Sequence, residues 1–220
     1  MGALALKIPE VNKSFYDTVQ ASANEAVIKN VIRAKFGIYI KNVANLVNLP
    51  KELIEAFIFI ESAGNPNAST KYATGLMQVG TASASDSLVT EKGSGRMSLQ
   101  EEAILKKYLG SRFSLLQNVK AKQTSIGKTF ITKEDLLKPE FNILVGSILL
   151  KQLVDEFTEN GKVRMDKVIT IYNGGRYSST AKKVIKYKGS TNDLLAELPK
   201  ETSAYIVKLL GTNGILDTIV

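Results

Sequence analysis

The chain of 220 residues is 44% hydrophobic and 23% charged, a composition typical of a globular protein with a substantial core. It has neither cysteine nor histidine, which excludes disulfides, thiolate nucleophiles, Ser-His-Asp triads and most zinc sites, so acid–base chemistry falls to Asp, Glu, Lys or Tyr. The formal charge is +8, which either favours a polyanionic partner or means only that lysines keep the surface solvated. The sequence contains no nucleic-acid recognition motif.

The chain opens with residues 1–47, which we expect to form one or two helices that pack on the following domain or on a partner. Ser22 and Glu25 have the spacing of a capping box, and Gly37 is a candidate break. Only Ile38-Tyr39-Ile40 alternates as a short strand would. Met1–Glu10 lacks the pattern of a secretory signal, and no apolar run reaches the roughly 18 residues of a membrane span.

A strongly apolar helix follows, with Pro50 in its first turn and Asn48 as its predicted N-cap. Glu61 follows Phe57 by four residues and so lies at the end of the apolar face, where burial would raise the pKa of its carboxyl group. A glutamate in that environment holds its proton near neutral pH and can donate it. The ordinary alternative is a carboxylate that turns outward or pairs with a lysine.

The helix breaks into a turn-rich stretch, residues 64–80, which contains Gly75-Leu76-Met77-Gln78. A glycine lets the backbone approach a ligand closely, and a glutamine offers both a donor and an acceptor. The next segment is polar over residues 81–87, and residues 88–97 are predicted to form a loop.

The remainder of the chain is predicted to be helical. Ser98 and Glu101 form a capping box for a helix that ends at Gly110. Later helices are predicted to begin at Pro139, at Asp166, at Ser179 or Thr180, and at Glu201, with stops at Asn160-Gly161, Gly174-Gly175 and Gly211. The sequence therefore predicts an all-α fold.

Four groups of residues occur in a recognisable order. They are Glu61-Ser62 with Asn65-Pro66, Ala68-Ser69 and Gly75-Leu76-Met77-Gln78; Pro139, Asn142-Ile143 and Gly146; Tyr172-Asn173-Gly174-Gly175; and Pro199, Glu201-Thr202 and Tyr205-Ile206-Val207. Together they resemble the core motifs of the soluble lytic transglycosylases, which are lysozyme-like enzymes that cleave peptidoglycan. The resemblance implies a helical domain of the goose-type lysozyme and lytic transglycosylase kind, with a substrate groove, over residues 48–220. Residues 1–47 lie outside this resemblance. Residues 88–131 are predicted to be an insertion relative to the family, which could form a lid over the glycan cleft, a docking surface or a segment without a function of its own.

The resemblance also implies a mechanism. Glu61 would protonate the glycosidic oxygen between N-acetylmuramic acid and N-acetylglucosamine, then take the proton of the muramic 6-hydroxyl as a 1,6-anhydro ring closes. No cofactor and no metal are implied, and the partner is the glycan strand of peptidoglycan. Because the wall lies outside the cytoplasm, the absence of a signal points either to a signal removed from the sequence or to delivery by a phage particle or a secretion apparatus.

The matching positions are predicted to bind substrate: Ser69 or Thr70, Met77, Gln78, Tyr172, Asn173 and Tyr205. Met77 and Gln78 are expected to line the cleft beside Glu61, and Tyr205 is expected to place its hydroxyl near the acid. The alternative is that Met77 and Gln78 pack a turn, that Tyr172 and Asn173 belong to a glycine-ended helix, and that Tyr205 is a core residue.

Two other functions stay open. A muramidase that hydrolyses the same bond needs a second carboxylate, for which Asp86, Glu91 and Glu101 are nearest in the sequence. A wall-binding or structural module needs no catalyst. The chain departs from the family at Gly64, where an aromatic is common, at Gly80-Thr81 in place of methionine-proline, and in having no tryptophan, which weakens the expected sugar affinity more than the chemistry.

Overall fold

The computed structural model describes residues 11–14, 25–119, 130–212 and 214–216. It is mostly helical, at 69% helix with few strands, which confirms the all-α prediction. The described residues group into two compact units. One runs from Ala26 to Leu149, and the other contains the described residues from Leu150 onward together with residues 11–14. No described helix combines the length and the apolar character that crossing a membrane requires.

The first unit is built from helices. They are α1 (Glu25–Val47), α2 (Lys51–Ser62), α3 (Thr81–Gly93), α4 (Leu99–Leu109), α5 (Phe113–Gln117), α6 (Lys133–Leu136) and the first part of α7 (Pro139–Glu156). A 3-10 turn over Gly110–Arg112 joins α4 to α5. The largest fully buried side chains include Phe57 of α2 and Phe141 of α7, so the helix that carries Glu61 contributes to the centre of this unit.

Helix α1 is continuous through Gly37. The prediction of a possible strand at residues 38–40 is therefore wrong, because these residues belong to the helix. One face of α1 buries Ile32, Phe36 and Ile40, because apolar side chains three and four residues apart share a helix face. A single glycine costs a helix only about 1 kcal/mol, which this burial outweighs. The opposite face exposes Val27 and Ile38. The capping box proposed at Ser22 lies outside the described residues.

Two helix boundaries differ from the prediction. Asn48 adopts a left-handed conformation (φ +53°) and closes α1, while Pro50 stands at the N-cap position of α2. Asparagine tolerates left-handed φ, which is why it suits a helix exit as well as a cap. Helix α3 occupies residues 81–93, part of which was predicted to be a loop. Its buried face includes the small residues Ala84 and Ser85 and few large apolar side chains, so the apolar periodicity of a helix is weak there.

The capping box at the start of α4 is confirmed. The N–H of Glu101 donates to Ser98 Oγ at 3.2 Å, and the N–H of Ser98 donates to the Glu101 carboxylate at 2.6 Å. Gly110 caps the other end of the helix with φ +55°. An equivalent box that the sequence analysis missed, formed by Thr132 and Asp135, starts α6.

The second unit contains the rest of α7, β2 (Thr158–Glu159), β3 (Lys162–Val163), α8 (Met165–Gly174), α9 (Ser179–Lys186), α10 (Thr191–Glu197), α11 (Lys200–Leu210), β4 (Gly211–Thr212) and β1 (Val11–Ser14). Strand β1 pairs in parallel with β4, and β2 pairs with β3 as a hairpin. Asn160 and Gly161 have φ +51° and +75° and form the hairpin turn. The prediction that they end α7 is wrong, since α7 ends at Glu156.

The ends of α8, α9 and α11 are close to those predicted. Ser178 caps α9 by accepting the N–H of Ala181 at 3.1 Å, one residue before the predicted cap. Asp166 of α8 is fully buried and receives two hydrogen bonds from Arg164, at 3.1 and 2.7 Å, and one from Thr191 at 3.1 Å. This network ties the start of α8 to the start of α10.

Candidate active site

Glu61 lies in the last turn of α2, where the helix ends. The residues from Leu53 to Ile58 are buried, and Glu61 itself is half-buried. Ala63 ends the helix in a left-handed conformation (φ +50°), and its N–H donates to the carbonyl oxygen of Phe59 at 2.9 Å. The backbone is therefore fixed immediately after Glu61.

Two polar contacts hold the turn that follows Glu61. Ser62 Oγ donates to the carbonyl oxygen of Ile58 at 3.1 Å and accepts the N–H of Gly64 at 3.2 Å. Gly64 has φ +78°, and a Cβ at this position would lie 2.7 Å from Cγ1 of Ile32. A larger residue would therefore be strained here and would displace the side chain of Ile32, which gives the departure at Gly64 a local cause.

The residues after α2 fold into a compact segment, residues 64–80, here called the motif loop. Thr74 pairs with Ser69 on one side and with Val79 on the other. The N–H groups of Thr74 and Val79 each donate to the other residue's carbonyl oxygen at 3.1 Å, and the N–H of Gly75 donates to Ala68 at 2.7 Å. The motif loop is thus a small antiparallel ladder, which fixes the polar groups that it carries.

Gln78, predicted to line a glycan cleft, cross-links the motif loop. Its backbone has φ +44°, and its side-chain Nε2 donates to the carbonyl oxygens of Ala68 at 3.0 Å and Gly75 at 2.8 Å. Both amide hydrogens are therefore used inside the loop. The side chain is half-buried, and its oxygen Oε1 accepts no hydrogen bond from the described residues, so Oε1 is the atom with which Gln78 could bind a ligand.

Asn142 of α7 anchors the motif loop, a role that the sequence analysis did not assign to it. Its Oδ1 accepts the N–H of Met77 at 2.8 Å, and its Nδ2 donates to the carbonyl oxygens of Thr74 and Leu136, both at 2.9 Å. The side chain is fully buried, and these three bonds satisfy it. The signal was Asn142 itself, which belongs to one of the matching motifs, but its partners lie far away in the sequence.

Met77 lies under the motif loop and is fully buried. Its sulfur is 3.8 Å from Ser147 Oγ, and a Cβ on Gly146 would come within 2.7 Å of that sulfur. Gly146 therefore makes room for Met77 against α7. Met77 therefore supports the motif loop by packing against α7. Its predicted place beside the substrate stays a prediction.

Ser69 and Thr70, the two candidates for a hydrogen bond to the acid or to substrate, are both exposed. Ser69 Oγ lies 3.4 Å from Thr74 Oγ1. Thr70 Oγ1 accepts the N–H of Tyr72 at 3.2 Å and the N–H of Ala73 at 3.0 Å, so it caps the turn at the tip of the motif loop. Their contacts with a substrate stay predictions.

The three remaining candidates belong to the second unit. Tyr172 is half-buried and Asn173 is exposed in the last turn of α8, which Gly175 ends with φ +74°. Tyr205 is half-buried in α11, which packs on α8. Their predicted contacts with substrate are not tested by these positions and stay predictions.

The three acidic residues considered as a second carboxylate have different surroundings. Glu101 is buried in its capping box, and burial raises the pKa of its carboxyl group. Glu91 accepts a hydrogen bond from Arg96 at 3.2 Å. Asp86 is exposed on α3, where local desolvation raises the pKa of its carboxyl group. Among these three, Asp86 alone has no ion pair or cap within the described residues.

An ion pair between the half-buried Arg112 and the buried Asp135 fixes α6. The Leu136 carbonyl of the same helix receives a hydrogen bond from Asn142. Arg112 donates to both carboxylate oxygens of Asp135, at 2.6 and 2.7 Å, and the N–H of Thr132 donates at 2.9 Å. Burial alone would raise the pKa of Asp135, but the hydrogen bonds from Arg112 and Thr132 outweigh it and hold the pKa below its ordinary value. Asp135 is therefore stabilised as a carboxylate.

We expect Asp135→Asn to destabilise the protein at neutral pH and to have much less effect in acid. Because the folded-state pKa is depressed, the carboxylate contributes fully above its unfolded-state pKa of about 3.9, and the contribution is lost as the pH falls through the folded-state value. Urea unfolding near pH 7 should show a loss of about 3 kcal/mol. Asp155→Asn, which removes an exposed partner of Lys151, should cost less than about 1 kcal/mol. An equal loss for Asp135→Asn at neutral and acid pH would contradict this account.

A comparison with protein-family models finds no match to this chain, and a search of curated proteins finds none either. In the part of the chain that the structure describes, no three acidic side chains come together in a way that could hold a metal ion. The candidate site consists of Glu61, the motif loop and the α7 residues that anchor that loop.

Proposed function

We propose that the protein is a lytic transglycosylase of lysozyme-like fold that cleaves peptidoglycan between N-acetylmuramic acid and N-acetylglucosamine. The observation that carries the proposal is the position of Glu61, half-buried in the last turn of an apolar helix and directly followed by a motif loop that Gln78 and Asn142 hold in place. The resemblance of the sequence to the soluble lytic transglycosylases supplies the substrate class.

In the proposed reaction Glu61 acts first as an acid. The proposal requires Glu61 to hold its proton in the free enzyme. The support for this is its half-buried position at the carboxyl end of α2, where the helix dipole places partial negative charge. Its proton passes to the glycosidic oxygen as the bond from that oxygen to C1 of the muramic sugar breaks. The acetamido group of the same sugar stabilises the positive charge that develops at C1.

Glu61 then acts as a base. The carboxylate takes the proton of the muramic 6-hydroxyl, and the oxygen of that hydroxyl bonds to C1. The product carries a 1,6-anhydro ring, no water is consumed, and Glu61 is protonated again for the next cycle. One carboxyl group is enough for this sequence, whereas a hydrolase needs a second group to activate water.

The other predicted residues position the glycan in this proposal. Oε1 of Gln78 would accept a hydrogen bond from the sugar, and Ser69 or Thr70 would bond the acid or the substrate. The roles that the resemblance implies for Tyr172, Asn173 and Tyr205 stay predictions. The reaction as proposed uses no metal or cofactor.

The nature of the product tests the proposal. Purified peptidoglycan sacculi are digested with the protein, and the fragments are weighed by mass spectrometry. Anhydromuramic ends are expected. Reducing muramic ends alone would replace the proposal with a muramidase, for which Asp86 is then the carboxylate to substitute. Binding to sacculi without any fragments would support a wall-binding module instead.

A further inference from the structure

Tyr72 stands at the tip of the motif loop and is 77% exposed, so its ring contributes almost nothing to the core. The turn that carries it is nevertheless well fixed. The N–H of Thr70 donates to the carbonyl oxygen of Ala73 at 2.8 Å, and Thr70 Oγ1 accepts the N–H groups of both Tyr72 and Ala73. An exposed aromatic ring is thus held on an ordered turn.

Two neighbouring segments hold this tip from outside. The Lys133 ammonium group of α6 donates to the carbonyl oxygen of Thr70 at 3.3 Å. Gly80 packs against the backbone of Tyr72 so closely that a Cβ there would lie 2.9 Å from the Tyr72 carbonyl oxygen. The substitution of glycine for the family's methionine at position 80 is therefore linked to the placement of Tyr72.

The Lys71 ammonium group lies 5.2 Å from the centroid of the Tyr72 ring, over one of its faces. Within the described ranges no second cation and no other aromatic ring contacts Tyr72, and the 77% exposure of the residue leaves the ring accessible to a ligand. A cation over the face of an exposed aromatic ring is attracted to it by about 0.5–1 kcal/mol.

We propose that the open face of Tyr72 is a stacking platform for a pyranose ring of the peptidoglycan glycan strand. The C–H groups on one side of a pyranose form an apolar, weakly positive surface, which matches the negative face of an aromatic ring. A tyrosine has two side-chain torsions, so ordering it on binding costs little entropy. The chain has no tryptophan to perform this role. The inference rests on the proposed function, to which it adds a substrate-positioning residue.

The test separates binding from catalysis by using the Glu61→Gln protein as the parent, with purified sacculi as the probe in a sedimentation assay. Adding Tyr72→Ala should raise the Kd about tenfold, while Tyr72→Phe should leave it within about twofold because the ring is kept. Tyr177, which is 80% exposed in the second unit, provides the matched control, and Tyr177→Ala should leave the Kd unchanged. With catalysis restored, Tyr72→Ala should raise KM and leave kcat nearly constant.

Several results would overturn the platform. These are unchanged binding by Tyr72→Ala, an equal loss for Tyr72→Phe, an equal loss for Tyr177→Ala, or no binding of sacculi by the parent. Because Tyr72 is exposed, each variant should keep the thermal unfolding midpoint of its parent. Failure of the proposed function would be seen separately, as the absence of anhydromuramic products with wild-type protein while the parent still binds sacculi.

Discussion

Glu61→Gln is expected to lower the rate of peptidoglycan cleavage about 10³-fold. Glutamine keeps the size of the side chain and its capacity for hydrogen bonding, but it can neither donate the proton that the leaving oxygen needs nor take the proton of the 6-hydroxyl. Both steps depend on the same carboxyl group, so no second residue substitutes for it. The rate is measured as the release of soluble fragments from purified sacculi, and binding to sacculi should persist.

Glu52→Gln provides the control in the same helix. Glu52 lies in the first turn of α2, is half-buried and has Lys51 at 3.8 Å, so its substitution removes a carboxylate without touching the motif loop. Its activity should stay within about twofold of wild type, because exposed ion pairs contribute little. Full activity of Glu61→Gln, or an equal loss in both variants, would show that Glu61 is not the acid.

The helices that could be predicted are those whose boundaries carry local signals. Pro139 starts α7, and Ser98 with Glu101 starts α4, because a proline or a capping box acts within one turn of the chain. Helix α3 lacked such a signal: its N-cap is Gly80, which makes no side-chain cap, and its inner face is formed by small residues. Strand β1 could not be predicted, because its partner β4 lies at the opposite end of the sequence.

The Asn160-Gly161 pair shows how the same local chemistry supports two structures. Both residues favour left-handed φ, which is needed to leave a helix and also to turn a hairpin. The sequence predicts a helix exit at this pair, whereas the structure has the hairpin between β2 and β3. The choice depends on whether the flanking residues can pair, which is a tertiary property.

The candidate site was predictable in part. The position of Glu61 at the end of α2 follows from helical spacing and from the glycine and asparagine residues after it. The buried side of the site was not predictable, because Met77 and Asn142 meet across 65 positions of the sequence. That contact joins the motif loop to α7.

Gly75→Ala is expected to be the most damaging of these substitutions, with a loss of about 4 kcal/mol or more in the free energy of unfolding. Gly75 has φ +83°, which an alanine adopts only with strain. The added Cβ would lie 2.2 Å from the Leu136 carbonyl oxygen and 2.3 Å from Asn142 Nδ2. The first of these atoms is backbone, and the second belongs to a buried side chain with three hydrogen bonds, so neither can move without breaking the anchor of the motif loop.

Gly95→Ala separates this clash from the cost of the backbone conformation. Gly95 has nearly the same dihedral, φ +74°, but a Cβ there would meet no described atom within 4 Å, so alanine should cost only about 1–2 kcal/mol. Urea unfolding of both variants gives the free energy of unfolding that each has lost. The difference between the two losses measures the close packing of Gly75 against α6 and α7. If both variants lose the same stability, the motif loop does not depend on Asn142. If Gly75→Ala is the less stable, its cleavage activity should also be lost at temperatures where it is still folded, because the motif loop, which carries Gln78 in the proposed site, has been displaced.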